Sequence, residues 1–115
     1  VPAFNIGSDQ LLKAVMQQVK EMKSPVILEM SPDEFNFVEN SLIQSMIYEA
    51  SKTDVPVALH LDHGSYEGCL KCVEAGFSSI MFDGSHYPIE ENIEKTKELV
   101  KIANEHGMSL EAEVG

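Results

Sequence analysis

The stretch VALHLDHGSYEG, residues 57–68, begins as an apolar strand and ends in two histidines, an aspartate and a glycine. Its residues Val57, Leu59 and Leu61 form one apolar face, because residues two apart in a strand share a face. The opposite face carries His60 and Asp62. This pattern predicts a strand that is buried on one side and becomes polar on the other side toward its carboxyl end.

Strand-like and helix-like segments alternate along the rest of the chain. Strands are predicted at PAFNI (2–6), PVILEMS (25–31), VPVALHLDHG (55–64), SSIMFDG (78–84) and MSLEAEVG (108–115). Helices are predicted between them at residues 8–23, 38–52, 65–76 and 88–107, where apolar residues recur at helical spacing. Such alternation is typical of parallel strands joined by right-handed crossovers, here (βα)₄β. A doubly wound sheet and half of an eight-stranded barrel both fit this order.

The two faces of the strands distinguish these folds. One face is apolar in all five strands, and we expect the helices to cover it. The other face becomes polar toward the carboxyl ends, whereas a sheet covered by helices on both sides would be apolar on both faces. We therefore predict an α/β fold, a TIM (β/α)₈ barrel of which this chain covers roughly the first half. The strand order should be 1-2-3-4-5, with four helices on the outer face and residues 1–115 forming the N-terminal part of a single catalytic domain.

Seven charged or titratable side chains should converge at the carboxyl ends of these strands. They are Glu29, His60, Asp62, His63, Asp83, Glu111 and Glu113. Carboxylates packed this closely need a counter-charge, and no Lys or Arg lies on the same strand faces. A divalent cation with imidazole and carboxylate ligands, zinc or a similar ion, would supply it. The alternative is a solvated rim in which each acid is bonded to water or backbone donors.

The individual residues leave further alternatives open. His60 is either a hydrogen-bonded core histidine or a ligand, and His63 ends its strand beside a glycine, free to reach a metal. Asp62 could act as a general acid or base, or orient a histidine. His86 could cap the following helix or touch substrate. We expect His106 at the surface, near the negative end of a helix dipole.

Composition excludes several classes of partner. The formal net charge of −11 argues against a nucleic-acid surface and against anionic lipid. No run of apolar residues is long enough to span a membrane. The chain starts without a basic segment followed by an apolar one, and Cys69 and Cys72 fall within a helix, as packing thiols rather than a redox or metal pair. We therefore expect a cytoplasmic protein.

Five segments together resemble one enzyme family. They are AFNI, SPVIL, VPVALHLDHG, GFSSIMFDGSHYPIEENI and SLEAEVG, and they cover essentially the whole chain. In this series the sequence resembles the class II, metal-dependent fructose-bisphosphate aldolases, including the related tagatose-bisphosphate enzymes. The resemblance implies a lyase of glycolysis and gluconeogenesis that reversibly cleaves fructose 1,6-bisphosphate to dihydroxyacetone phosphate and glyceraldehyde 3-phosphate. Tagatose 1,6-bisphosphate is the alternative substrate. It also implies a zinc cofactor with room for a second divalent cation, and a homo-oligomer when full length.

The resemblance assigns roles to four residues of the polar cluster. Asp62 matches the catalytic proton donor, and His63 matches a ligand of the catalytic zinc. Asp83 and Glu113 resemble ligands of a second metal position. By the same analogy, the zinc polarises the ketose carbonyl and stabilises the enediolate of dihydroxyacetone phosphate.

Two residues resemble substrate-binding positions. Ser31 matches a serine that contacts the aldehyde-phosphate half of the sugar, and Asn5 matches an asparagine near the active site. After Ser31 this chain has PDEF, residues 32–35, where the family often has small residues. The sugar bisphosphate is the expected partner.

Family members continue beyond the EAEVG strand. Their further half-barrel carries two more zinc histidines, a mobile loop and glycine-rich phosphate contacts, so we expect residues 1–115 alone to be inactive and the rest of the enzyme to lie outside this sequence. Two alternatives remain open: a non-catalytic half-barrel that serves as an assembly subunit of such an aldolase, and a different barrel enzyme, such as an epimerase, that uses the same metal.

Overall fold

The computed structural model describes residues 1–37 and 40–115, and the predicted alternation of strands and helices is present. Its strands are β1 (Ala3–Asn5), β2 (Val26–Met30), β3 (Val57–Gly64), β4 (Ser79–Asp83) and β5 (Ser109–Glu113). Its helices are α1 (Asp9–Met22), α2 (Pro32–Phe37), α3 (Asn40–Ser51), α4 (Tyr66–Ala75) and α5 (Ile89–Glu105). The first two residues of the predicted second helix, 38 and 39, lie outside the described residues.

The strands follow one another in the sheet in the order β1-β2-β3-β4-β5, as predicted. The pairs β1–β2, β3–β4 and β4–β5 are parallel, and β4 and β5 keep one register from Ser79↔Ser109 to Asp83↔Glu113. The chain divides into two compact units, unit 1 (Val1–Leu59) and unit 2 (His60–Gly115).

Unit 1 buries the apolar face predicted for β2. In β2, Val26, Leu28 and Met30 are buried, while Ile27 and Glu29 between them are half-buried. The helices add the apolar stripes that their spacing predicted, since Leu12, Met16, Val19, Leu42, Ile43 and Met46 are all buried. At the helix surface, Lys20 of α1 pairs with Glu49 of α3 at 3.1 Å.

Unit 2 places both of its helices on one side of its strands. The ring of Phe82 in β4 lies edge-on to Tyr66 of α4, with 6.4 Å between centroids. Lys95 of α5 lies over the ring of Tyr66, at 5.1 Å from its centroid. The neighbours of Phe82 in β4, Met81 and Asp83, must point to the opposite side, because side chains alternate along a strand. Within unit 2 the helices therefore lie on the side of β4 that Phe82 faces, and Asp83 points to the opposite, polar side.

One expectation about the apolar face is wrong at the outer strands. Phe4 of β1 is 45% exposed, Val114 after β5 is 66% exposed, and Ala112 of β5 is also exposed. An outer strand has a neighbour on one side only, so fewer side chains surround its apolar residues. The helices therefore do not bury this face in all five strands.

The second correction concerns the number of helices, which is five rather than four in the described part of the chain. The additional helix, α2, begins at Pro32 behind a reciprocal cap. The backbone N–H of Ser31 donates to the Glu34 carboxylate at 2.9 Å, and the Glu34 N–H donates to the Ser31 hydroxyl at 3.4 Å. This is the capping box, whose S-x-x-E signature with proline at the first helical position is present in the sequence.

The two cysteines are packing thiols, as predicted. Cys69 and Cys72 of α4 are fully buried and unpaired, and burial raises the pKa of each to about 12. At neutral pH such thiols are almost entirely protonated, so they are poor nucleophiles and poor metal ligands. Among the helices of residues 1–37 and 40–115, none combines the length and apolar character needed to cross a bilayer.

The capping box gives the first prediction. Ser31→Ala should lower the free energy of unfolding by about 1 kcal/mol, because it removes the hydroxyl that accepts from the first turn of α2. Urea unfolding followed by circular dichroism measures this loss. Glu34→Gln is the matched control, since its amide oxygen can still accept from Ser31. An equal loss in Glu34→Gln would mean that the charge, rather than the reciprocal hydrogen bonds, stabilises this turn.

Candidate functional site

The polar end of β3 is shaped by a bulge. Leu61 pairs with Ile80 and Gly64 pairs with Phe82, so three steps along β3 match two along β4. The extra residue is accommodated at His63, whose φ of 49° lies in the left-handed region. Histidine is among the residues that enter this region more readily than most. The bulge turns a side chain that would otherwise follow Leu61 to the apolar face, so His63 reaches the polar face.

His63 meets two carboxylates from the next two strands. Its Nδ1 lies 3.0 Å from Oδ2 of Asp83 in β4 and 3.3 Å from Oε2 of Glu113 in β5. Because Asp83 and Glu113 are direct register partners, their side chains leave neighbouring strands at the same level. One donor atom from each of the three residues lies within 4.8 Å of the others. We call His63, Asp83 and Glu113 the rim cluster.

Asp83 is held in place from its other side. Its Oδ1 accepts hydrogen bonds from the hydroxyl of Ser85 at 2.6 Å and from the Ser85 backbone N–H at 3.1 Å. These bonds leave Oδ2 to face His63. Together with His63, they lower the pKa of Asp83 to about 2, with the Ser85 hydroxyl as the largest cause.

The charge around His63 is almost entirely negative. The hydrogen bond to Asp83 raises the pKa of His63, and the nearby carboxylates of Asp62 and Glu113 raise it further. In the described part of the chain no lysine forms an ion pair with these three acids, and the sequence contains no arginine. A cation at the rim cluster is therefore electrostatically favoured.

Asp62 lies beside the rim cluster. Its Oδ1 is 3.9 Å from Nε2 of His63, and its side chain is 32% exposed. This distance is too long for a hydrogen bond, so the carboxylate is available to a small molecule that approaches His63. Such a position suits a general acid or base more than a residue that only orients the imidazole.

His60 and Glu111 form a separate pair, deeper along the strands. His60 is 8% exposed and its Nδ1 lies 2.6 Å from the hydroxyl of Ser79, its register partner in β4. Glu111 lies 3.9 Å from the other ring nitrogen and is largely exposed. Of the two alternatives for His60, the structure supports the hydrogen-bonded histidine. The seven polar residues thus do not converge as one group, because those of unit 2 form two clusters at different depths.

The remaining predicted positions are divided between the two units. Glu29, Asn5 and Ser31 all belong to unit 1, where Asn5 is exposed and Ser31 caps α2. In unit 2, His86 is exposed and its ring lies 4.1 Å from that of Tyr87. It therefore packs on a tyrosine rather than capping α5.

His106 lies where its sequence position predicted. It is exposed at the end of α5, and its Nδ1 is 2.8 Å from the Ile102 carbonyl oxygen. This contact satisfies a carbonyl in the last turn, which is a structural role.

The rim cluster fits a divalent cation by its chemistry and spacing. Zinc binds imidazole nitrogen and carboxylate oxygen at about 2.0–2.2 Å, which places neighbouring tetrahedral ligands about 3.4 Å apart. The separations of 3.0 and 3.3 Å from His63 Nδ1 to the two carboxylates are close to this value. The resemblance divided these residues between two metal positions, whereas their donor atoms are close enough for one ion. A single ion there would take the place of the hydrogen bond between His63 and Asp83.

Two residues with a part in this site were not identified from the sequence. Ser85, which anchors Asp83, follows it at the i+2 spacing of an Asx turn. Asn92 is 3% exposed, and its side-chain N–H donates to the Glu113 carbonyl oxygen at 2.9 Å. The sequence did offer a sign of this role, because Asn92 is a polar residue at helical spacing from Leu99 and Ala103, which are both buried in α5.

Comparison with known proteins identifies relatives of the whole chain. Residues 1–115 match the family described as fructose-bisphosphate aldolase class-II. A fructose-bisphosphate aldolase of Mycoplasma pneumoniae is 46% identical over 119 residues, and one of Streptococcus pyogenes is 44% identical over 120 residues. Each match covers 100% of this chain and 41% of the relative. The chain therefore spans well under half the length of these curated relatives.

Solved structures give the same result. The YdjI aldolase from Escherichia coli K12 superposes with a TM-score of 0.89 at 34% identity, over 100% of this chain and 46% of that one. A putative fructose-1,6-biphosphate aldolase from Coccidioides immitis gives a TM-score of 0.87 at 29% identity, over 97% of this chain and 40% of that one. These matches confirm the predicted fold class, a parallel α/β sheet that corresponds to roughly half of a TIM barrel.

The acidic surroundings of His63 give the second prediction. In the metal-free chain, the pKa of His63 should lie above its ordinary value of 6.5, and Asp83→Asn should lower it by removing the largest cause. A proton NMR titration of the imidazole measures both values. Glu111→Gln is the control, because Glu111 lies next to His60 rather than His63. A His63 pKa that does not respond to Asp83→Asn would contradict the pairing.

The two shifts also set the sign of a pH effect on stability. The contribution of His63 to the free energy of unfolding is fully present below pH 6.5 and is lost as the pH rises through the raised pKa of this residue. The contribution of Asp83 to the free energy of unfolding is present above pH 3.8 and is lost as the pH falls through its lowered pKa of about 2. The pair should therefore stabilise unit 2 most between pH 3.8 and 6.5.

Proposed function

The chain belongs to the class II fructose-bisphosphate aldolase family, and we propose that it contributes the rim cluster and the proton-transfer residue of a ketose-bisphosphate aldolase. The reaction is the reversible cleavage of fructose 1,6-bisphosphate to dihydroxyacetone phosphate and glyceraldehyde 3-phosphate. Tagatose 1,6-bisphosphate, which differs in configuration at C4, is the alternative substrate. Residues 1–115 would form the N-terminal part of one catalytic barrel domain.

One observation carries this proposal: three metal-ligand side chains from consecutive strands lie within 4.8 Å of one another, and a free carboxylate stands beside them. His63, Asp83 and Glu113 are the residues that would hold zinc. A site that serves only assembly has no physical need for such a concentration of acids, because it raises the electrostatic free energy of the fold. The arrangement therefore favours an enzyme over a structural subunit.

A divalent cation bound at the rim cluster would polarise the ketose carbonyl and stabilise the negative charge that develops on the dihydroxyacetone half of the substrate. Asp62 supplies the proton transfer. As a carboxylate, it removes the proton of the C4 hydroxyl while the C3–C4 bond breaks, and the aldehyde product leaves. The electron pair remains on the dihydroxyacetone half, which takes up a proton from solvent at C3 to give the second product. Asp62 then releases the proton that it removed, so that cleavage consumes no net proton. In condensation Asp62 returns its proton to the new C4 oxygen.

A Schiff-base mechanism is not needed for this chemistry. It would require a lysine at the reacting carbonyl. The strands of the chain carry none, since all eight lysines lie in the predicted helices or at their ends. Stabilisation of the developing charge by a cation is the chemistry that the residues of the rim cluster support.

Ser31 is proposed to contact the aldehyde half of the substrate, and Asn5 is proposed as a second substrate-binding residue. In this structure the hydroxyl of Ser31 lies 3.3 Å from the Glu34 carboxylate, and the Ser31 N–H is also bonded to it. Ser31 would have to exchange Glu34 for substrate when the sugar binds. The carboxylate of Glu34 would repel a phosphate group at that point, so Ser31 is more suited to a hydroxyl of the sugar.

The compartment, cofactor and oligomeric state of the enzyme are also proposed. Two buried, unpaired thiols are typical of a reducing compartment, so we place the enzyme in the cytoplasm, in glycolysis and gluconeogenesis. Zinc would be its cofactor, with room for a second divalent cation. The complete enzyme would be a homo-oligomer, and the acidic surface gives it no affinity for nucleic acid.

Residues 1–115 by themselves provide the third prediction. The purified chain should bind zinc more weakly than a complete aldolase and should release no triose phosphate, because the resemblance places two further zinc histidines and the glycine-rich phosphate contacts outside this segment. A coupled assay with excess zinc measures triose phosphate release. Turnover of about 1–10³ per second, the range of complete enzymes, would show that this segment is sufficient for catalysis.

The separate roles of Asp62 and His63 provide the fourth prediction. The test uses a chimaera in which residues 1–115 replace the matching segment of the Mycoplasma pneumoniae relative. Asp62→Ala should keep the zinc content and lower ketose-bisphosphate cleavage about 10²- to 10⁴-fold, the usual share of general acid–base catalysis. His63→Ala should lose zinc and activity together. Metal analysis and the coupled assay measure the two effects.

Two further variants complete this test. Asp62→Asn, which keeps the shape of the side chain, should behave like Asp62→Ala, because neither can accept a proton. Glu105→Gln removes an exposed carboxylate at the far end of α5 and should leave zinc content and activity unchanged. Equal loss of zinc in the Asp62 and His63 variants would show that the two roles are assigned wrongly.

A further inference from the structure

Asn92 is a buried polar residue that contacts none of the side chains proposed to react. It lies in the first turns of α5 and is 3% exposed, on the helix face that also contains the buried residues Leu99 and Ala103. Burying an amide costs free energy unless its hydrogen bonds are made, so a position of this kind needs specific partners. The structure provides partners on both sides of the amide.

The first partner is the backbone of a rim-cluster residue. Nδ2 of Asn92 donates to the carbonyl oxygen of Glu113 at 2.9 Å. On the other side, the hydroxyl of Thr96, one turn later in α5, donates to Oδ1 of Asn92 at 3.1 Å. Because a hydroxyl donor meets the amide oxygen, the amide nitrogen is directed toward β5. The two bonds thus fix the amide orientation as well as the position of the Glu113 backbone.

The second contact is with the backbone that follows Asp83. Gly84 is buried, and a Cβ at that position would overlap the amide group of Asn92. The absence of a side chain at Gly84 therefore lets Asn92 pack directly against the end of β4. A single amide touches the main chain of Glu113 and the main chain next to Asp83, the two carboxylates of the rim cluster.

From this geometry we propose that Asn92 is a positioning residue for the rim cluster, which sets the distance between the carboxylates of Asp83 and Glu113 and so the affinity for a divalent cation. The inference rests on the proposed function for its metal. Asn92 itself binds neither metal nor substrate. It acts through the backbone carbonyl of Glu113, while Thr96 holds the amide in the required orientation.

A neighbouring contact supports this reading of the β4 end. Ser85 fixes the Asp83 side chain through its hydroxyl and its N–H, and Asn92 packs against the residue between them. The direction of Asp83 is therefore set by Ser85, and the approach of β5 to this turn is set by Asn92. Ser85 and Asn92 therefore fix different parts of the geometry of the two carboxylates, Asp83 and Glu113.

The test uses the purified chain of 115 residues and two metals, Zn²⁺ for affinity by calorimetry and Co²⁺ for coordination geometry by visible absorption. Asn92→Ala and Asn92→Asp should weaken binding of both metals about 10- to 100-fold, the usual effect of removing a residue that orients a ligand. They should also change the Co²⁺ spectrum. Asn92→Asp keeps the shape of the side chain but replaces the donor by an acceptor opposite the Glu113 carbonyl. Thr96→Val should give a smaller loss, because the donor is retained without its fixed orientation.

The control is Leu99→Ala, which removes a fully buried side chain from the same buried face of α5, about two turns beyond Asn92. It should lower the melting temperature and leave metal affinity and the Co²⁺ spectrum unchanged. If Leu99→Ala and Asn92→Ala lose metal in proportion to their loss of melting temperature, Asn92 acts only through general stability and the inference is overturned.

A metal-free measurement separates this inference from the proposed function. The nuclear Overhauser effect between the His63 ring and the Glu113 side chain should be lost in Asn92→Ala, weakened in Thr96→Val and kept in Leu99→Ala. If that pattern is found while the unmodified chain binds neither metal, the positioning role stands and the proposed metal function fails. If the contact survives in every variant and metal affinity is unchanged, the positioning role is wrong.

Discussion

The concentration of negative charge around one imidazole is the constraint on which the carboxyl end of unit 2 depends. Asp62, Asp83 and Glu113 all lie within 4 Å of a ring nitrogen of His63, and no lysine in the described part of the chain forms an ion pair with them. Two arrangements can balance this charge: a protonated His63, or a bound cation. They exclude each other, because a metal ligand must be a neutral imidazole. Metal binding at this site must therefore release the proton that the carboxylates favour.

The backbone at His63 bears the cost of bringing these groups together. A residue other than glycine in the left-handed region costs about 1–3 kcal/mol, and the bulge leaves β3 out of register with β4 for one step. Regular pairing would have directed the side chain toward Phe82 and the helices. The strain is offset by the contacts of His63 with Asp83 and Glu113, so the fold and the site are energetically coupled at this residue.

Much of the fold and part of the site could be predicted from the sequence. The alternation of strands and helices, the strand order and the burial of Leu28 and Leu61 follow from periodicity, which is a local property of the chain. The grouping of His63 with Asp83 and Glu113 follows from their places at the ends of parallel strands. The family resemblance, rather than periodicity, supplied the separate roles of Asp62 and His63.

What could not be predicted depends on contacts between residues distant in sequence or on cap geometry. The S-x-x-E signature of the capping box at Ser31 and Glu34 is present in the sequence, but residues 32–37 contain no long run of apolar residues at helical spacing, so periodicity did not indicate a helix there. The bulge at His63 arises from the pairing of β3 with β4, which periodicity does not report. The separation of His60 and Glu111 from the rim cluster reflects depth along the strands, and the exposure of Val114 reflects the edge of the sheet.

The rim cluster also bears on how an anionic substrate could approach. Without a cation, the three carboxylates near His63 and the net charge of −11 would repel a sugar bisphosphate. A divalent ion would bring two positive charges, and a protonated His63 would give up one, so the local charge would rise by one unit. The gain is thus smaller than the charge of the ion suggests. Its greater effect is positional, because the charge moves from a ring that Asp83 holds to an ion that, in the proposed reaction, would face the sugar carbonyl beside Asp62. The geometry of the two carboxylates, which Ser85 and Asn92 fix from outside the site, then decides where that charge lies.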